Sequence, residues 1–115
     1  MKYVNNKSLY KELIISKAMG KLTPEATRMI KMMVDKVSIK FYYKNSQDRE
    51  DCKSNALYKC LRFWRNFDEN KTSNAFAYMT EIIKRGMAQE FNDLEKYRES
   101  ISIDRFYEDG SDLNI

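Results

Sequence analysis

The residues able to do chemistry are few, and their spacing decides what they do. The chain has no histidine, so no imidazole serves as a general base or metal ligand. It has no glycine-rich phosphate loop and no nucleophile elbow. The acids of Asp48-Arg49-Glu50-Asp51 are the nearest approach to a metal-binding cluster. Adjacent in sequence, they point in different directions around a helix, at a start where acids offset the positive end of the dipole. Cys52 and Cys60 share one helical segment. At ~1.5 Å per residue their Cα atoms lie about 12 Å apart, beyond the ~7 Å limit for a disulfide. Both read as small packing residues, and neither a metal, a cofactor nor an enzymatic activity is expected. What remains is aromatic and cationic: Phe76 and Tyr78, the basic pair Lys84-Arg85, and Lys71 and Asn74 in the turn before them. Rings beside cations on one helix suit a single nucleic-acid strand, with bases stacking and phosphates neutralised. Two residues apart, Phe76 and Tyr78 lie about 200° around the helix from one another, so at least one is expected to be displayed or to serve a partner surface.

The elements that position these residues are helices. One proline and three glycines in 115 residues argue against a turn-rich β fold. Asn6–Met19 forms a first helix with Leu9, Leu13 and Ile14 on one face and Gly20 as its C-terminal cap. Thr23-Pro24-Glu25 opens a second, whose apolar positions Ala26, Met29, Ile30, Met33, Val37 and Phe41 follow helical spacing. A third runs from about Gln47 to Arg65 with Leu57, Cys60, Leu61 and Trp64 as its expected stripe. A polar turn precedes a fourth, from about Ser73 to Leu94 or beyond, carrying Phe76, Met79, Ile83 and Phe91. Met29, Met33 and Met79 are expected in the core. The predicted fold is all-α, a single compact domain of about four helices over residues 1–98. Residues 99–115 are predicted to be a flexible acidic tail with apolar clusters at Ile101/Ile103 and Phe106-Tyr107.

Charge divides the chain in the same place. Residues 99–115 carry five acids against Arg105, net −4; residues 1–98 carry 20 basic against 12 acidic side chains, net +8. A basic body with an acidic appendage fits a nucleic-acid-binding domain joined to a separate interaction segment. No apolar stretch approaches the ~20 residues needed to span a bilayer, and no signal peptide opens the chain, so a cytoplasmic location is expected.

The segment from Glu50 to Phe91 resembles region 2 of the sigma-70 family. A helix ending in Phe67-Asp68, a basic turn and a helix carrying Tyr78-x-Thr80 occur in that family's order. The opening Tyr3-Val4-Asn5-Asn6-Lys7 resembles the late-transcription sigma factors of T-even-type bacteriophages. The resemblance covers residues 2–7 and 48–92 and implies a sigma region 2-like domain without enzymatic activity of its own. It implies that Asp51, Ser54, Asn55, Leu57, Tyr58 and Leu61 meet the clamp coiled coil of bacterial RNA polymerase core. It implies further that Tyr78, with Phe76 as helper, captures an unstacked base of an AT-rich −10-like promoter element on the non-template single strand. Thr80, Lys71, Asn74, Lys84 and Arg85 would join that DNA contact. Two departures matter. The family's tryptophan pair falls on Glu81 and Ile82, which implies weak autonomous melting, and a usual glutamine falls on Ser54. With no room for a −35-reading domain, the resemblance implies a sliding-clamp epitope at Phe106-Tyr107-Glu108 or at Asp112-Leu113-Asn114-Ile115. Two other functions fit the same residues: a small helical polymerase-binding regulator (an anti-sigma or co-activator), and a generic basic helical DNA binder.

Overall fold

The structure, a computed structural model, describes the backbone of residues 3–108 and the side chains of residues 3–99. Four helices form one bundle: α1 (Asn6–Met19), α2 (Pro24–Ser38), α3 (Ser46–Phe63) and α4 (Ala75–Glu108), with a 3-10 turn, Trp64–Asn66, closing α3. No strand occurs among the described residues.

Each helix starts where a side chain can satisfy its free amide groups. Asn5 accepts from the Ser8 N–H at 2.8 Å, Thr23 from Ala26 at 3.1 Å, and Asn45 from Asp48 at 2.8 Å. Gly20 ends α1 in the left-handed region at φ 79°, where a side chain would be strained. The α1–α2 corner is further tied by Ser16, whose hydroxyl donates to the Glu12 carbonyl and accepts the Thr23 N–H. α2 stops at Ser38 rather than running to Phe41. Phe41 instead belongs to the connection, where it and Tyr43 pack on Phe91 of α4.

The core is built from Leu9 and Leu13 of α1, Met29, Ile30, Met33, Val34 and Val37 of α2, and Met79, Ile83 and Met87 of α4. The contribution of α3 differs from the expected stripe. Its buried row is Cys52, Ala56, Cys60 and Trp64, while Leu57 is half-buried and Leu61 is exposed. The reason is the closeness of α4. A Cβ placed on Gly86 would lie 2.9 Å from the Ala56 Cα and 3.3 Å from the Lys59 Cγ. Only small side chains on α3 permit that approach, and Leu61 falls outside it.

α4 continues through residues 99–108, the first part of the segment expected to be a tail; residues 109–115 lie outside the described residues. Two ion pairs hold α4 beyond the core: Arg98 with the buried Asp48, and Lys44 with Glu95 at 3.6 Å. Hydrogen bonding to Asp48 holds the Arg98 guanidinium pKa above its usual value.

Gly86→Val forces branched carbon into the Ala56 backbone, and unfolding by urea should report a loss of about 1–3 kcal/mol, the usual cost of overpacking. An unchanged midpoint would mean that the two helices separate freely.

Candidate nucleic-acid and protein interfaces

The start of α4 is fixed by two asparagines. Asn74 accepts the Ala77 N–H at 2.9 Å, while Asn6 accepts the Phe76 N–H and donates to the Ser73 carbonyl, both at 3.0 Å. The turn before it is held to α1 by Lys17, which donates to the Phe67 carbonyl at 2.9 Å and pairs with Glu69 at 2.8 Å. That bond lowers the Glu69 carboxyl pKa below its ordinary value. Asn74 thus spends its carbonyl on capping; Lys71 stands exposed in the turn.

The rings at the start of α4 diverge as their spacing requires, yet neither is freely displayed. Phe76 is half-buried and meets Tyr3 edge-on at 6.0 Å between centroids. Tyr78 is half-buried on the other side, 5.4 Å from the Phe67 ring, with its phenol donating to the Phe63 carbonyl at 2.9 Å. Burial pushes the Tyr78 phenol pKa up. Neither ring stands free in solvent, because each meets a ring from another segment, Tyr3 for Phe76 and Phe67 for Tyr78; Tyr78 nonetheless lines an open surface. Thr80 lies on the Phe76 row, one turn on, and its hydroxyl is buried without a hydrogen-bond partner among the described residues. It does not share the Tyr78 side.

What Tyr78 does face is a cleft of about 400 Å³ between α3 and α4. Lys59, Phe63 and Asn66 line it from α3 and the turn that follows, while Tyr78, Glu81, Ile82, Arg85, Gly86 and Gln89 line it from α4. The first set falls at i, i+4, i+7 and the second at i, i+3, i+4, i+7, i+8, i+11, one helical face each, a signal present in the sequence. Tyr78 and Arg85 are legible as site residues from the sequence, whereas Lys59, Phe63, Asn66 and Gln89 join them only through the helix crossing. Arg85 is exposed and paired with Glu81 at 3.0 Å, so its charge is partly neutralised by an acid on the same helix. Lys84 is exposed beside it. The volume lies within the range of small-ligand pockets. Its two rings, with Lys59 and an Arg85 already paired to Glu81, suit a planar group carrying modest negative charge.

The residues expected to meet a protein partner separate into two groups. Ser54, Tyr58 and Leu61 form an exposed row on α3; Tyr58 is 52% exposed and Leu61 48%. Ser54 also edges a shallow cleft with Val34 and Leu57. Asn55 does not belong to the row. It is half-buried and donates to the Gly86 carbonyl at 2.7 Å, bracing the close helix crossing. Asp51 is half-buried and accepts from Gln47 at 2.8 Å. The backbones of Phe106 and Tyr107 lie in α4, and Leu113 and Ile115 lie outside the described residues.

Among the described residues no group of three acids or thiols is placed to hold a metal. No helix among them is long and apolar enough to cross a membrane. No family model, no curated protein and no solved structure matches the chain.

Burial pushes the Cys52 thiol pKa up to about 11 and the Cys60 thiol up to about 12, so both are neutral in the folded protein at pH 8. A thiol reagent at that pH should label neither until denaturant is added. Since the thiols of the unfolded chain ionise near pH ~8.5, stability should fall as pH rises above that value. Rapid labelling of the native chain would contradict the buried placement.

Proposed function

We propose that the chain is a sigma region 2-like transcription factor that docks on bacterial RNA polymerase core and contacts promoter DNA. The observation that carries this reading is one helix, α3, serving two surfaces: an exposed Ser54-Tyr58-Leu61 row and the Tyr78-Arg85 cleft. A region 2 domain needs both, one for the polymerase clamp coiled coil and one for an unstacked base of an AT-rich −10-like element. In this proposal Tyr78 and Phe63 supply rings for the base, while Lys59, Lys84, Arg85 and Lys71 attract phosphate.

Energetics make the factor dependent on its polymerase. Stacking one base contributes roughly 1–3 kcal/mol, and flipping it out costs a few kcal/mol. The two nearly cancel. Glu81 and Ile82 add no stacking wedge, so the domain alone opens DNA poorly. A sliding clamp bound through Phe106-Tyr107 or through Leu113 and Ile115 would supply further anchorage, and the site of action would be the cytoplasm of a bacterial host.

A polymerase-binding regulator without a DNA face is the second reading, and one observation favours it: the Tyr78 phenol is already bonded to the Phe63 carbonyl. Both readings require the α3 row. Leu61→Arg should weaken binding to RNA polymerase core at least tenfold, measured by fluorescence anisotropy, with a stability change within about 0.5 kcal/mol. Undiminished binding would remove the row from the interface. Failure of the wild type to bind core polymerase would sink both readings.

A further inference from the structure

The connection between α2 and α3 carries a second aromatic and cationic surface, at the opposite end of α3 from Tyr78. The 18 residues of α3 place about 25 Å between the two ends. Tyr42 is 95% exposed and Ile39 69%. They edge an open cleft of about 440 Å³ with Phe41, Tyr43, Asn45, Ser46 and Arg49. The cleft is a feature of a fixed turn. Phe41 and Tyr43 each pack on Phe91 with ring centroids 6.3 Å apart, the Lys40 N–H bonds the Val37 carbonyl at 3.0 Å, and Lys44 pairs with Glu95. Between two inward rings in an alternating stretch, Tyr42 is held outward.

The charged residue lining the cleft is cationic, Arg49, and Lys40 lies between its Ile39 and Phe41 edges. Lys40 and Arg49 are exposed and have no ion-pair partner among the described residues. Asp48 is occupied by Arg98, Glu95 by Lys44 and Arg98, and Asp35 and Glu50 by Lys53, while Asp51 and Glu90 lie around the buried Cys52 and do not line the cleft. An acidic polymer is the complementary partner. An exposed ring over an open cleft selects among acidic polymers, because a nucleobase has a flat face to stack and an acidic peptide does not.

We propose that the Ile39–Arg49 turn binds single-stranded nucleic acid, with a base stacked on Tyr42 and phosphates on Lys40 and Arg49. The contact is independent of sequence, since every base presents a π-face and no base-edge readout is built into the turn. It is separate from the Tyr78 cleft and does not require the polymerase.

The test uses the full chain alone with a fluorescein-labelled dodecathymidylate in 50 mM salt, followed by anisotropy. Tyr42→Phe should bind as the wild type does, whereas Tyr42→Leu, apolar but without a ring, should bind at least fivefold more weakly. Arg49→Gln should reduce the slope of log affinity against log salt by about 0.7, one phosphate contact on a single strand. Arg85→Gln, in the other cleft, should leave the Tyr42 dependence in place. Tyr42 is almost wholly exposed, so these variants fold. Equal binding by Tyr42→Leu, or no binding by the wild type, overturns the proposal. So does a Tyr42-dependent preference for polyglutamate over the oligonucleotide, which would assign the turn to an acidic protein. Failure of the chain to bind core polymerase would leave this result untouched.

Discussion

The close crossing of α3 and α4 is the constraint on which the rest depends. Gly86 lets the α4 backbone approach Ala56 so closely that an added methyl group would sit 2.9 Å from a backbone carbon. Asn55 then reaches across to the Gly86 carbonyl, tying the crossing with a 2.7 Å hydrogen bond. With the two axes fixed there, the rims of the groove follow. On one side the helices diverge into the Tyr78-Arg85 cleft; on the far side of α3, Ser54, Tyr58 and Leu61 are left in solvent. Loss of the crossing would disturb both surfaces together, and Gly86 itself lines the first of them.

A second layer of restraint sets where α4 begins and how far it is held. Asn6 and Asn74 together occupy amide groups of its first turn, and Lys17 holds the preceding turn to α1. Near its other end the buried Asp48 captures Arg98. An acid at the start of α3 therefore has two uses: it lies at the positive end of its own helix and anchors a second helix. The Asn5-Asn6 pair is structural in the same sense, capping α1 with one residue and α4 with the next.

Much of this was legible in the sequence because caps and periodicity are local. Gly20, Thr23-Pro24 and the Leu9/Leu13 and Met29/Met33 positions dictate the first two helices without reference to anything distant. The errors arose where tertiary contact decides. Leu61 reads as core by spacing, and only the proximity of Gly86 shows why the buried row of α3 is Cys52-Ala56-Cys60 instead. Asn55 reads as a surface polar group, and its partner is 31 residues away. Phe76 and Tyr78 are separated by helical geometry, as expected; that each finds its own packing partner depends on Tyr3, ahead of α1, and on Phe67, in the turn after α3. Lys59 and Phe63 lie on a regular row, but without the helix crossing nothing assigns that row to the same cleft as Tyr78.

Run-off transcription with bacterial core polymerase tests the central functional claim most directly, using an AT-rich promoter on linear and supercoiled templates. The account predicts specific initiation that requires the chain, is stronger on the supercoiled template, where strand opening costs less, and is lost when Tyr78 is replaced by alanine while core binding persists. Core binding without initiation on either template would contradict it and leave the regulator in its place.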